Sequence, residues 1–149
     1  MANHEAVDPD FERRVRDSFA RQTFMGFIGA ELAEVRPGFC EIRLPYRKEL
    51  CQQHGFFHGG VVGTLADNVA GYSSYSLARA VDSVLTVEYK LNLLAPARGD
   101  LLIARGEVIR AGRTLVVVRS DVFAAEEGRE TLCATALTTI MILADTPDR

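Results

Sequence analysis

Asp67 is the only formally charged residue between Glu49 and Arg79. It lies in the stretch CQQHGFFHGGVVGTLADNVAGYSSY, Cys51 to Tyr75. Wound as a helix, this stretch puts Asp67 on a face with Gly63, Thr64, Ala70, Gly71 and Ser74, away from the apolar stripe of Val61, Leu65 and Val69. A carboxylate among small uncharged neighbours is expensive to bury unless something pairs with it. The choice is between an exposed flank and a face that meets a neighbour, and the Gly/Ala/Ser composition favours the neighbour. A carboxylate placed there can take a proton from water or attack an electrophilic carbon.

His58-Gly59-Gly60 stands immediately before the helix. The first backbone N–H groups of a helix have no intrahelical partner and carry partial positive charge. Glycine lets another atom come close to them, so a polarised carbonyl or a developing oxyanion is the natural guest. A plain loop-to-helix turn would use the same residues. His58 fits a hydrogen-bonded supporting role better than direct proton transfer. Cys51, His54, His58 and Asp67 are near in sequence, but Gly55, Gly59 and Gly60 keep the two histidines off a common helix. Their four-residue spacing therefore makes no metal-binding pair, and no metal or cofactor is expected. The chain holds no G-x-S-x-G, no G-x-G-x-x-G and no P-loop, so serine-hydrolase, dinucleotide and nucleotide-triphosphatase readings have no support.

The elements that must carry these residues follow from periodicity. Asp8 to Gln22 reads as a helix, with Asp8 as cap, Pro9 in the first helical position, and Phe11, Val15 and Phe19 at four-residue spacing. Between Phe27 and Pro45, alternation around the turn signal Pro37-Gly38 gives two strands joined as a hairpin. Gly59 to Arg79 has helical length and the stripe Val61, Leu65, Val69 and Tyr72. Its interior glycines, each about 1 kcal/mol worse than Ala, imply that something packs closely against it. After Asp82 four strand-like runs follow: Val84 to Ala95, Leu101 to Arg110, Thr114 to Ala124 and Glu130 to Leu143. The short separators, each with a turn residue, suggest an antiparallel meander. The expected fold class is α+β, a curved antiparallel sheet of about six strands wrapped around one long central helix. Residues 1–22 form an N-terminal helical segment and 23–149 the main body of what is a single domain.

Composition bounds the function class. A chain of 149 residues buries a full core without disulfide or metal staples. Its 48% hydrophobic and 25% charged residues are those of an ordinary globular protein. Seventeen Lys and Arg against twenty Asp and Glu, formal charge −3, argue against a nucleic-acid binder. No apolar run is long enough to span a bilayer, and Met1 to Asp17 lacks the apolar core of a secretory signal. Cys40, Cys51 and Cys133 are odd in number and scattered, which suits a reducing compartment. A cytoplasmic protein, with neither membrane nor nucleic acid as partner, is the expectation.

The run Gln52-x-x-Gly55-x-x-His58-Gly59-Gly60, followed by Leu65-Ala66-Asp67, resembles the signature of hot-dog-fold acyl-CoA thioesterases of the phenylacetate-degradation (PaaI-like) type. Thr86 to Lys90 through Ala95-Pro96, and Gly106 through Gly112-Arg113-Thr114, resemble the family's later strands, so the likeness spans about residues 20 to 143. The resemblance implies acyl-CoA hydrolysis at a dimer interface, in homodimers often paired again as dimers of dimers. It gives Asp67 the part of base or nucleophile, and the Gly59 N–H that of polarising the thioester carbonyl. It places Gln52 near carbonyl or water, with His58 beside them. Gly60, Asn68, Tyr75, Thr86 and Arg113 are then expected to bind substrate, Thr86 standing where some relatives carry Ser or Thr. The family often has Pro two residues before its first glycine; this chain has Gln53.

Helix geometry adds a reason of its own for a dimer. Asp67 and Gly59, two turns apart, are separated by roughly 12 Å along the axis, too far to act on one carbonyl from a single helix. Lys90, Arg98, Arg110 and Arg113 are candidate basic residues for coenzyme A. Two other functions fit the same fold: a non-catalytic acyl-CoA-binding or sensing module, and an enoyl-CoA hydratase-type activity. Intact Asp67 and Gln52 favour catalysis over sensing, and a hydratase would need an acid/base His or Glu pair.

Overall fold

A computed structural model describes residues 4–148. The chain runs through helices α1 (Phe11–Arg21) and α2 (Thr23–Ile28), strands β1 (Glu31–Arg36) and β2 (Phe39–Pro45), and the long helix α3 (Gly59–Tyr75). It then continues through β3 (Ser83–Leu93), β4 (Leu101–Ala111), β5 (Leu115–Glu126) and β6 (Arg129–Leu143). The six strands form one antiparallel sheet in the order β1-β2-β4-β5-β6-β3, and α3 lies against its inner face. Alternate residues point inward, among them Ile42 and Leu44 of β2, Ala104 of β4, Val122 of β5 and Ala136 of β6. They meet Val62, Leu65, Ala66 and Val69 of α3 in one core that also takes in Val15 and Phe19 of α1. This is the α+β arrangement expected, and α1 shares the core of the rest.

Four details depart from the sequence reading. The first helix begins at Phe11, and Pro9 lies in a turn before it. Asp8 causes this: its carboxylate accepts the Asp10 N–H (3.0 Å) and the Arg14 Nε–H (2.8 Å), and its carbonyl accepts the Phe11 N–H. Its side chain builds a local turn in place of a cap. A second short helix, α2, occupies residues assigned to no helix by periodicity, because six residues are too few to show one. The long helix stops at Tyr75 and not Arg79. There Arg14 donates to the carbonyls of Tyr75 (3.4 Å) and Ala78 (2.7 Å), and Ser76 Oγ donates to Ser73 O (2.7 Å) while accepting the Gly38 N–H (2.8 Å). These contacts satisfy carbonyls that a further turn would have used.

The fourth departure is topological: only β4-β5-β6 is a meander. β3 pairs with β6 at the far edge, so Leu94 to Asp100 crosses the end of the β5–β6 hairpin. The crossing is pinned by the Leu94 N–H to Cys133 O (2.8 Å) and the Asp100 N–H to Ala125 O (2.9 Å). Gly99 is required there. Its φ of +149° is unfavourable for side-chain residues, and a Cβ would stand 2.1 Å from Ala125 O. β3 differs from the inner strands in its surface: Leu85 and Val87 are more than half exposed, and Tyr89 and Leu93 are exposed as well.

The close packing expected of the long helix is present, but its glycine is on the sheet. Where β4 passes under α3, a Cβ on Gly106 would lie 2.6 Å from Ser73 Oγ and 2.8 Å from Val69 O. Ser73 Oγ donates to both Val69 O (2.8 Å) and Gly106 O (3.0 Å). A Cβ on Gly71 would meet nothing within 4 Å. Gly106→Ala is therefore expected to destabilise by about 1–3 kcal/mol through overpacking. Gly71→Ala should stabilise by up to about 1 kcal/mol through helix propensity. Urea denaturation followed by circular dichroism checks both; equal effects of the two changes would contradict this account of the packing.

Candidate active site

α3 presents Asp67 to β3. The Thr86 hydroxyl donates to Asp67 Oδ1 at 2.7 Å, and Oδ2 has no protein partner among the described residues. Thr86 reaches the helix because β3 carries a bulge: Thr86 pairs with Ile140 and Glu88 with Thr139, leaving Val87 as the extra residue. Such a bulge bends an edge strand and re-aims its side chains. Asp67 is half-buried, so the neighbour inferred from the small-residue face exists and it is a hydroxyl.

Asp67 and Thr86 stand on the wall of a cleft of about 220 Å³. Asn68, Gly71, Tyr72 and Tyr75 of α3 also line it, as do Ser18 and Gln22 of the N-terminal segment. The Asn68 amide donates to Gln22 Oε1 (2.9 Å), and the hydroxyls of Ser18 and Tyr72 are 3.2 Å apart. Tyr72 has its phenol pushed up to about 12, mainly by burial, so it stays neutral and able to donate. Tyr75 is buried, with the Arg14 guanidinium 4.2 Å from its ring centre. Ser18 and Gln22 escaped the sequence reading. Their one signal is spacing: they continue the stripe Phe11, Val15 along the inward face of α1.

Gln52, His58, Gly59 and Gly60 lie at the other end of α3. His58 is the N-cap, its Nδ1 accepting the Gly60 N–H at 2.9 Å, which is the supporting role expected of it. The Gly59 N–H donates to no protein atom among the described residues, leaving a helix-terminal donor available. Gln52 opens a tight turn in which the Gly55 N–H donates to Gln52 O (3.0 Å) and the His54 N–H to Gln52 Oε1. Gln52 and Gly59 line a second groove of about 490 Å³, walled by Phe56, Leu93, Leu94 and Pro96. Arg113 sits on the turn between β4 and β5 and lines neither cavity.

The expected site residues thus fall into two groups within one chain. Asp67, Asn68, Tyr75 and Thr86 share the first cleft; Gln52 and Gly59 share the second groove. Neither cavity contains a member of the other group. Cys40 and Cys133 are disfavoured as nucleophiles, since burial raises them to about 12 and about 11. Among the described residues, no three of His, Cys, Asp and Glu come together as a metal site would need, and no helix is long and apolar enough to cross a membrane.

The family model of the thioesterase superfamily matches residues 54–131, which include α3 and most of the sheet. A protein of Saccharolobus solfataricus named "Putative esterase" is 31% identical over 132 residues, covering 89% of this chain and 85% of the relative. The 1,4-dihydroxy-2-naphthoyl-CoA hydrolase of Listeria monocytogenes is 27% identical over 111 residues, covering 74% of this chain and 89% of that enzyme. Among solved structures, a thioesterase family protein of Silicibacter pomeroyi superposes with a TM-score of 0.88 at 44% identity, covering 89% of this chain and 98% of the other. With the curved six-stranded sheet around α3, these matches establish that the chain belongs to the thioesterase superfamily and has its hot-dog fold.

Proposed function

We propose that the protein hydrolyses an acyl-CoA thioester to free acid and coenzyme A, at sites shared between two copies of the chain. One observation carries this reading: a carboxylate and a free helix-terminal N–H occupy different cavities of the same chain. Asp67 of one subunit takes a proton from water through Oδ2, held in position by the Thr86 hydroxyl on Oδ1. The water oxygen bonds to the thioester carbon, and the negative charge that forms on the carbonyl oxygen is met by the N–H of Gly59 of the partner subunit. The C–S bond then breaks, and the proton held by Asp67 passes to the departing thiolate. Gln52 supplies polar support beside the carbonyl, and the cleft formed by Asn68, Gly71 and Tyr75 takes the acyl group.

The exposed apolar edge of β3 supports the pairing. Its outer backbone groups are free to extend the sheet into a second copy, and Leu85, Val87 and Tyr89 would lose exposure there. The CoA-hydrolase relative supports the substrate class.

Asp67→Asn keeps shape and the Thr86 contact but removes the base. The chemical step should slow by roughly 10²–10⁴-fold with acyl-CoA binding retained, as read from thiol release and substrate titration. A folded variant within a few-fold of wild type would exclude Asp67 as the base. Gln52→Ala should fold normally and turn over more slowly, and a wild-type rate would remove Gln52 from the site.

Subunit mixing tests the shared site. Gly59→Pro deletes the N–H, yet proline suits a first helical position and the preceding His58 already has ψ 139°. Each of Asp67→Asn and Gly59→Pro should be inactive alone. When unfolded together and refolded, they should regain roughly a quarter of wild-type activity, because each mixed dimer keeps one intact site. If both groups acted within one chain, mixing would restore nothing.

A further inference from the structure

The groove that starts at Gly59 continues past the reacting centre. It shares Phe56, Ala95 and Pro96 with a third cavity of about 520 Å³, which residues around the β5–β6 turn also line. The first part is mostly apolar, with Leu93, Leu94 and Pro96 on its walls. The second part is charged. Arg98, its guanidinium 6.0 Å from the Phe56 ring centre, and Arg129 both line it. Neither arginine forms an ion pair among the described residues, unlike Arg14, Arg79 and Arg105, which are tied to carboxylates. Two guanidinium groups without ion-pair partners, lining one cavity with an aromatic ring, match a ligand that carries both phosphate and a flat base.

Resting on the thioesterase reading above, we infer that Arg98, Arg129 and Phe56 form the binding site for the nucleotide end of coenzyme A. The uncharged thiol arm runs through the apolar groove from Gly59. The phosphates lie between Arg98 and Arg129, and the adenine packs on Phe56. The other unpaired cations considered from sequence, Lys90, Arg110 and Arg113, line neither groove. Glu126 and Glu127 also line the charged cavity and oppose phosphate. They place the nucleotide toward the Arg98 side, and they set the sign of one control.

The test is titration calorimetry of intact protein with coenzyme A and, separately, with pantetheine, which lacks the nucleotide. Arg98→Ala should weaken coenzyme A binding by roughly tenfold, and Arg98→Ala with Arg129→Ala by more, with pantetheine binding unchanged. Glu126→Gln should tighten coenzyme A and leave pantetheine alone. The assignment is overturned if the double variant binds coenzyme A like wild type, if both ligands weaken equally, or if wild type binds no coenzyme A. It fails separately from the thioesterase reading. Wild type that binds coenzyme A in this arginine-dependent way yet releases no thiol from any acyl-CoA would refute hydrolysis and uphold the groove.

Discussion

The close approach of helix to sheet where Gly106 of β4 passes beneath Ser73 of α3 sets the position of the rest of the helix. With no Cβ on Gly106, the strand backbone comes near enough for Ser73 Oγ to bond both its own helix and the sheet. The C-terminal half of α3 is thereby fixed in depth within the sheet's curve. Arg14 and Ser76 fix where the helix ends, by taking up its last carbonyls and the adjoining turn. Asp67 lies less than two turns before Ser73, so its distance from β3 follows from that anchor. The bulge at Val87 then covers the remaining gap by turning Thr86 toward the carboxylate.

Electrostatic roles are divided in the same way along the helix. The amino end offers an uncommitted N–H at Gly59, kept open because His58 spends its side chain on Gly60. The middle offers a carboxylate with one oxygen bonded and one free. A free N–H and a carboxylate with one free oxygen are thus built on one rigid element. Their separation is fixed by helical rise and cannot be adjusted by loop motion.

Much of this was legible in the sequence. The strands after Asp82 were found to within two residues or so at most ends, because each run alternates and each separator holds a turn residue. The face of Asp67 was readable from its small neighbours, and the role of His58 from its place before Gly59-Gly60. What could not be read depended on non-local contacts. The pairing of β3 with β6 leaves no mark in local periodicity, so the meander was overextended by one strand. The early stop of α3 depends on Arg14, some sixty residues away. Gly63 and Gly71 point to close packing from the helix side, whereas the glycine that the contact at Ser73 requires is Gly106, which sits unmarked in a strand pattern. Gln22 bonds Asn68 across 46 positions, a link invisible without the fold.

The topology that puts β3 at the sheet edge also bears on the order in which the protein assembles. β4, β5 and β6 are joined by tight turns, so their pairing closes short loops and is kinetically cheap. β3 pairs only with β6 inside the chain, from Leu93 with Ala134 to Ser83 with Leu143, and β2 pairs with β4 from Pro45 with Leu101 to Phe39 with Glu107, so both flanks of the meander need far longer closures than its own hairpins. The strand that carries Thr86 is therefore added to a meander that can pair before it. The hydroxyl partner of Asp67 comes with β3 and not with the meander. The docking of one strand thus brings the hydroxyl to Asp67 and creates the free sheet edge together.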